Sequence, residues 1–177
     1  MSTISVVIPC YNVAPYIKEA IESVIQQTKP CEEIICVDDC SSDTTVTIIK
    51  ELQNQYPTII KLLQNEKNEG ANYSRNKGLH AATGEFVQFF DADDLLLPTK
   101  FEHQLSLIEK SNNSIDIVVN NFKKRSLSGV DTLYNFESDD AWNSLILFSK
   151  LIWAVFVQPF FIPSSFGIYQ FLTIFSI

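Results

Sequence analysis

Residues 4–8 read Ile-Ser-Val-Val-Ile, a short β-branched run of the kind that forms a buried strand. Behind it Tyr16, Ile17, Ala20, Ile21, Val24 and Ile25 recur at helical spacing, and Pro15 suits the first turn because its missing N–H would be unpaired there. A second strand is expected over 33–38, with Ile34, Ile35 and Val37 as its apolar body. Ser41, Ser42 and Asp43 are N-cap candidates for a helix carrying Val46, Ile49 and Leu52. The pattern then predicts a third strand over 59–63, a helix over 72–82 and a fourth strand over 86–90. Pro98 opens an amphipathic helix through Leu105 and Ile108, and a fifth strand covers 115–119. Strand and helix alternate without an internal repeat. That order predicts an α/β fold, a Rossmann-like, mostly parallel sheet with helices on both faces. Ligands of such sheets bind outside the carboxyl ends of the strands.

Composition changes this picture at one end. The 177-residue chain carries a net charge of −8, so a nucleic-acid partner is not expected, because phosphate neutralisation needs a basic face. Apolar residues make up 46%, enough for a packed core. All charged side chains lie within residues 1–150, and 18 of the last 27 residues are apolar or aromatic. A spanning helix is not expected there, because Pro159, Pro163 and Gly167 divide the run. Exposed apolar surface in that tail instead predicts peripheral membrane association or aggregation, and a shortened chain ending near Lys124 is expected to be more soluble. The N-terminus has no basic region and only five apolar residues before Pro9, so the expected compartment is the cytoplasm. Cys10, Cys31, Cys36 and Cys40 show no metal-binding spacing, His80 and His103 stand apart, and no zinc site is expected.

The chemistry sits at the strand ends. Pro9, Tyr11 and Asn12 follow the first strand; Asp38 and Asp39 close the second; Asp91, Ala92, Asp93 and Asp94 follow the fourth. Acids in such places also cap helices and keep loops wet, and for Asp43 that is the expected role. Asp39 equally suits a ribose hydroxyl or a base N–H. Three carboxylates within four residues repel one another, a cost that a hard divalent cation with diphosphate oxygens removes. Arg75, near the start of the 72–82 helix, offers forked hydrogen bonds to such a diphosphate. There is no GxxxxGK[ST], so a P-loop NTPase is excluded, and no GxGxxG after the first strand, so a dinucleotide dehydrogenase is not expected.

Four segments occur in an order that resembles the family-2 inverting glycosyltransferases of GT-A fold. They are Ser5 to Asn12 (SVVIPCYN), Ile35 to Asp43 (ICVDDCSSD), Asn68 to Gly78 (NEGANYSRNKG) and Phe90 to Asp94 (FDADD), the last resembling the DxD motif. The resemblance covers about 1–125 and implies a nucleotide-sugar donor-binding GT-A domain there, with 126–177 an incomplete acceptor-side segment whose uncharged tail begins at 151. It implies that Tyr11 lies against the base, that Asp39, with Asp38 beside it, accepts the base N–H, and that Arg75 approaches the diphosphate. Asp91 would face the ribose or sugar, and Asp93 with Asp94 would hold Mn²⁺ or Mg²⁺. The implied reaction moves a sugar, from a UDP-sugar by preference, to a hydroxyl of a saccharide or lipid-linked saccharide with inversion. Surface-polysaccharide synthesis at the inner face of the membrane is the implied setting. The family's general base is an acid downstream of DxD, and none of Glu102, Glu109, Asp116, Asp131, Glu137, Asp139 and Asp140 lies in a comparable motif. The stretch from Trp153 to Pro163 resembles the entry to the acceptor region, but no acidic motif follows before the sequence ends. Two alternatives remain: a catalytically incomplete nucleotide-sugar-binding fragment, and a metal-dependent nucleotidyltransferase.

Overall fold

A computed structural model describes residues 2–110 with their side chains, and the strand backbone of 117–118, 122–124, 132–134 and 174–176. The elements are β1 (Ile4–Cys10), α1 (Ile17–Ile25), β2 (Glu33–Asp38), α2 (Thr45–Gln55), β3 (Ile60–Gln64), α3 (Ala71–Ala81), β4 (Phe86–Phe89), α4 (Lys100–Lys110), β5 (Ile117–Val118), β6 (Phe122–Lys124), β7 (Thr132–Tyr134) and β8 (Ile174–Ser176). Two compact units result. One is Met1–Val118 with Leu172–Ile177, and the other is Val119–Phe171, whose described part is the antiparallel pair β6–β7. Residues 125–131 and 135–173 lie outside the described residues, and so do the downstream acids from Asp131 to Asp140 and the acceptor-like stretch from Trp153 to Pro163. Asp116 is likewise outside them.

The six-stranded sheet of the first unit runs β3-β2-β1-β4-β8-β5. Its first four strands are parallel, with Val6 beside Ile34 and Val7 beside Phe89. This is the expected doubly wound order. β1 and β2 are buried along almost their whole length, as strands covered on both faces must be. Their side chains alternate between two cores. Ile4, Val6, Ile8 and Cys10 meet Ile17, Ile21 and Val24 of α1, Ile49 and Leu52 of α2, and Phe101, Leu105 and Ile108 of α4. Val7, Ile35, Val37 and Val87 meet Leu79 and Ala81 of α3 on the opposite face. Gly78 lets α3 lie against the sheet, since a Cβ there would stand 2.3 Å from Val7 Cγ1.

The boundaries differ from expectation where local hydrogen bonds decide. α2 begins at Thr45, not directly behind the serines: the N-cap Thr44 makes no side-chain bond, and Asp43 Oδ1 accepts the Thr45 N–H at 2.9 Å from outside the helix. Pro98 lies in a turn before α4, its carbonyl accepting the Thr28 N–H at 2.8 Å. Residues 115–119 are described as strand only at Ile117–Val118. The largest departure is β8, for which the sequence pattern assigns no strand. It pairs antiparallel with β4, Gln88 opposite Ile174, and antiparallel with β5, Val118 opposite Ile174. A strand of three residues, Ile174–Ser176, is too short for a period of two to show in the sequence. Among the described residues, no helix is long and apolar enough to cross a membrane.

Candidate functional site

The carboxyl ends of β1, β2 and β4 frame a cleft of about 350 Å³. Its lining includes Pro9, Tyr11, Asp39, Arg75, Asp91, Ala92 and Asp93, all expected from the sequence, and also Cys10, Val13, Asn68, Gly70, Ala71 and Ser74, which were not. Asn12, Asp38 and Asp94 do not line it. Asn12 sits at φ 52°, and its Oδ1 accepts the Ser42 N–H at 2.9 Å while its own N–H reaches Ser41 Oγ at 3.0 Å. Val13 N–H donates to Thr45 Oγ1 at 2.9 Å, and Ala14 N–H to Asp43 Oδ2 at 3.1 Å. These bonds lace the loop after β1 to the loop after β2. Asp38 is buried, its Oδ2 accepting the Ser41 N–H at 3.3 Å.

Asp39 is the anchor of the cleft floor. Its Oδ1 accepts from Asn65 Nδ2 at 2.7 Å and from the Glu69 N–H at 2.9 Å, and its Oδ2 accepts the Gly70 N–H at 2.8 Å. Burial raises the pKa of this group, but those donors outweigh burial and hold it below the usual carboxylate value. The loop they gather ends at Gly70, whose φ of 89° is in the left-handed region that favours glycine, and α3 begins directly after it. Helix α3 then carries Ser74 and Arg75 to the cleft wall. Arg75 Nη2 donates to Asp91 Oδ1 at 2.6 Å and Nη1 to Asn72 Oδ1 at 3.3 Å, so the guanidinium is held on two sides.

Tyr11 is half exposed at the rim, free to lie against a planar ligand. Cys10 is no nucleophile: a hydrogen bond with Cys36, together with burial, raises its thiol pKa well above the ordinary value. Asp93 is exposed on the lining, whereas the Asp94 N–H closes a turn onto the Asp91 carbonyl at 3.1 Å. Among the described residues no three His, Cys, Asp or Glu side chains gather as an ion site. The donor set suits a hard cation that takes one or two carboxylates from protein and the rest from a diphosphate.

A mostly parallel sheet with helices on both faces, and acids and an arginine at its carboxyl edge, is the GT-A transferase fold of the solved structures it matches. The sequence profile described as Glycosyl transferase family 2 matches residues 5–172, and the chain belongs to that family. It is 43% identical over 116 residues to the minor teichoic acid biosynthesis protein GgaB of Bacillus subtilis, covering 64% of this chain and 13% of that protein. It is 39% identical over 111 residues to the UDP-Glc:alpha-D-GlcNAc-diphosphoundecaprenol beta-1,3-glucosyltransferase WfgD of Escherichia coli, covering 63% of this chain and 43% of that one. Among solved structures, S. aureus TarS 1-349 in complex with UDP superposes with a TM-score of 0.60 at 33% identity, over 66% of this chain and 34% of that one. The mannosyltransferase PcManGT of Pyrobaculum calidifontis, in complex with GDP-Man and Mn²⁺, gives 0.61 at 26% identity, over 70% and 36%. The chain thus spans less than half the length of these relatives. Membership in this family removes the nucleotidyltransferase alternative.

Proposed function

We propose that the cleft binds a nucleoside diphosphate sugar, a UDP-sugar by preference, and that the protein transfers its sugar to a hydroxyl of a saccharide or lipid-linked saccharide with inversion. The observation that carries this reading is the meeting of Tyr11, Asp39, Arg75, Asp91 and Asp93 around one cleft from three strand ends and one helix. TarS with UDP and PcManGT with GDP-Man support a donor of this class. Tyr11 stacks on the base and Asp39 accepts its N–H. Arg75 has five donors, so it reaches a phosphate oxygen while keeping its bond to Asp91. That bond fixes Asp91 at the height of the ribose or sugar. Asp93 would hold Mn²⁺ or Mg²⁺, and Asp94 stands next to it in sequence. The cation, when bound, neutralises charge on the leaving diphosphate. Work at the cytoplasmic face of a membrane, in surface-polysaccharide synthesis, fits a lipid-linked acceptor.

A second reading, donor binding without turnover, is favoured by one feature. Every described carboxylate of the cleft lining (Asp39, Asp91 and Asp93) is given to the donor, and none is left to take the acceptor's proton. Calorimetric titration with UDP and Mn²⁺, followed by incubation with UDP-sugars and a lipid-linked saccharide, separates the outcomes. Saturable binding with sugar on the acceptor supports transfer. Binding without transfer supports the second reading, and no binding overturns both.

A further inference from the structure

Behind Asp39, two side chains stand in line. Lys77 Nζ donates to Asn65 Oδ1 at 2.8 Å and to the Gln64 carbonyl at 2.7 Å. Asn65 Nδ2 in turn donates to Asp39 Oδ1 at 2.7 Å and to Ser74 Oγ at 3.0 Å. An ammonium can only donate and an ionised carboxylate can only accept. The Asn65 amide therefore has one allowed orientation. Turned over, it would set its NH₂ against Lys77 and its carbonyl against Asp39. Asn65 and Asp39 are 8% and 3% exposed, so this order is enforced where water cannot screen it. The Asn65 backbone is itself fixed, its N–H donating to the Asp38 carbonyl at 2.8 Å.

Resting on the donor reading above, we propose that Lys77 and Asn65 are positioning residues for base selection. They hold Asp39 as an oriented, acceptor-only carboxylate, so the cleft takes a nucleoside diphosphate whose base offers a ring N–H and rejects one whose corresponding ring nitrogen accepts. Uracil and guanine belong to the first class and cytosine to the second. Oδ1 of Asp39 already takes two donors, while Oδ2 takes the Gly70 N–H and has capacity for one more. The other charged groups near Asp39 do not replace Lys77. Asp38 precedes it on β2 with like charge, the Glu69 side chain pairs with Lys67 at 3.3 Å, and Arg75, on the cleft wall, is taken by Asp91. Lys77 alone among these reaches Asp39 through a single buried amide.

The test is competition binding of UDP and CDP, with Mn²⁺, to the full chain and to Lys77→Met, Lys77→Arg and Asp39→Asn. Lys77 is partly exposed, so its replacement leaves the core intact. Lys77→Met is expected to weaken UDP about tenfold, as for a lost bond to a charged group, and to leave CDP unchanged, so that the UDP preference falls. Lys77→Arg is expected to restore it. Equal loss for both nucleotides, or no loss, overturns the inference. If Asp39→Asn binds UDP as the parent does, the base reading itself is wrong. If Asp39→Asn loses UDP affinity and Lys77→Met does not, only the positioning role fails.

Discussion

At the scale of single residues, the acids of the 91–94 stretch have separate positions despite their adjacency. Asp91 is engaged by Arg75, Asp93 is exposed on the lining, and Asp94 is off it. Asp93→Ala is therefore expected to abolish the Mn²⁺-dependent gain in UDP affinity, and Asp94→Ala to keep most of it. Titrations with and without Mn²⁺ check this, and equal losses in the two variants would return Asp94 to the ion. Much of this site could be read in advance. Acids at the ends of strands two and four, and an arginine near the start of a helix, follow from the order of elements alone. Asn12 and Asp38 occupy the same kind of position, yet their side chains stitch loops together. Only the geometry of the Ser41 and Ser42 N–H groups distinguishes the two uses. Asn65, Asn68, Ser74 and Lys77 carry no spacing signal, because they meet Asp39 or the cleft through folding of a loop and a helix face. The one available pointer was Gly70, a left-handed position ahead of a helix.

Between elements, one contact joins three strands to the turn after α3, and another sets how closely α3 lies on the sheet. Glu33 of β2 is buried; its Oε1 accepts the Ser5 hydroxyl of β1, the Thr83 N–H and the Thr83 hydroxyl, each at 2.7 Å, and its Oε2 meets Lys61 of β3 at 2.5 Å. Burial raises its pKa, but Lys61, Ser5 and Thr83 outweigh burial and bring it down to about 2. A carboxylate depressed in the folded state stabilises fully above its unfolded pKa and loses that contribution as pH falls toward the folded one. For Glu33 the window runs from about 4.5 down to about 2. Glu33→Gln is expected to cost about 2–3 kcal/mol at pH 7, with the gap to the parent closing in acid. Denaturant melts at pH 7 and pH 3 check both parts. Gly78→Ala forces a methyl onto Val7, and overpacking of this kind costs about 1–3 kcal/mol. Because Arg75 rides on the same helix, the variant is also expected to weaken UDP binding; a melt and a titration that both match the parent would refute it. The apolar faces of α1, α2 and α4 were legible from their period. The true start of α2 was not, because its N-cap is Thr44, outside the three adjacent polar candidates, and Asp43 accepts the Thr45 N–H from beyond the helix.

For the molecule as a whole, β8 alters what the apolar end of the chain means. The sequence shows uncharged surface in need of cover. The structure puts Ile174–Ser176 inside the six-stranded sheet, bonded to β4 on one side and β5 on the other. Removing 172–177 is therefore expected to lower the melting temperature and to promote aggregation, because the unpaired edge of β4 becomes a template for other strands. Light scattering and a thermal melt check this, and a shortened chain that stays monodisperse with an unchanged melt would show that β8 adds nothing. Chemical composition could not reveal the role, since strand pairing joins residues far apart in sequence. That distance has a temporal side. About 85 residues separate the end of β4 from β8, so at a synthesis rate of about 5–20 residues per second the slot beside β4 stands open for roughly 4–17 s. Through that interval the residues of the four parallel strands, three of which frame the cleft, have already been synthesised. The last gap in the sheet closes only when a strand made much later arrives to fill it.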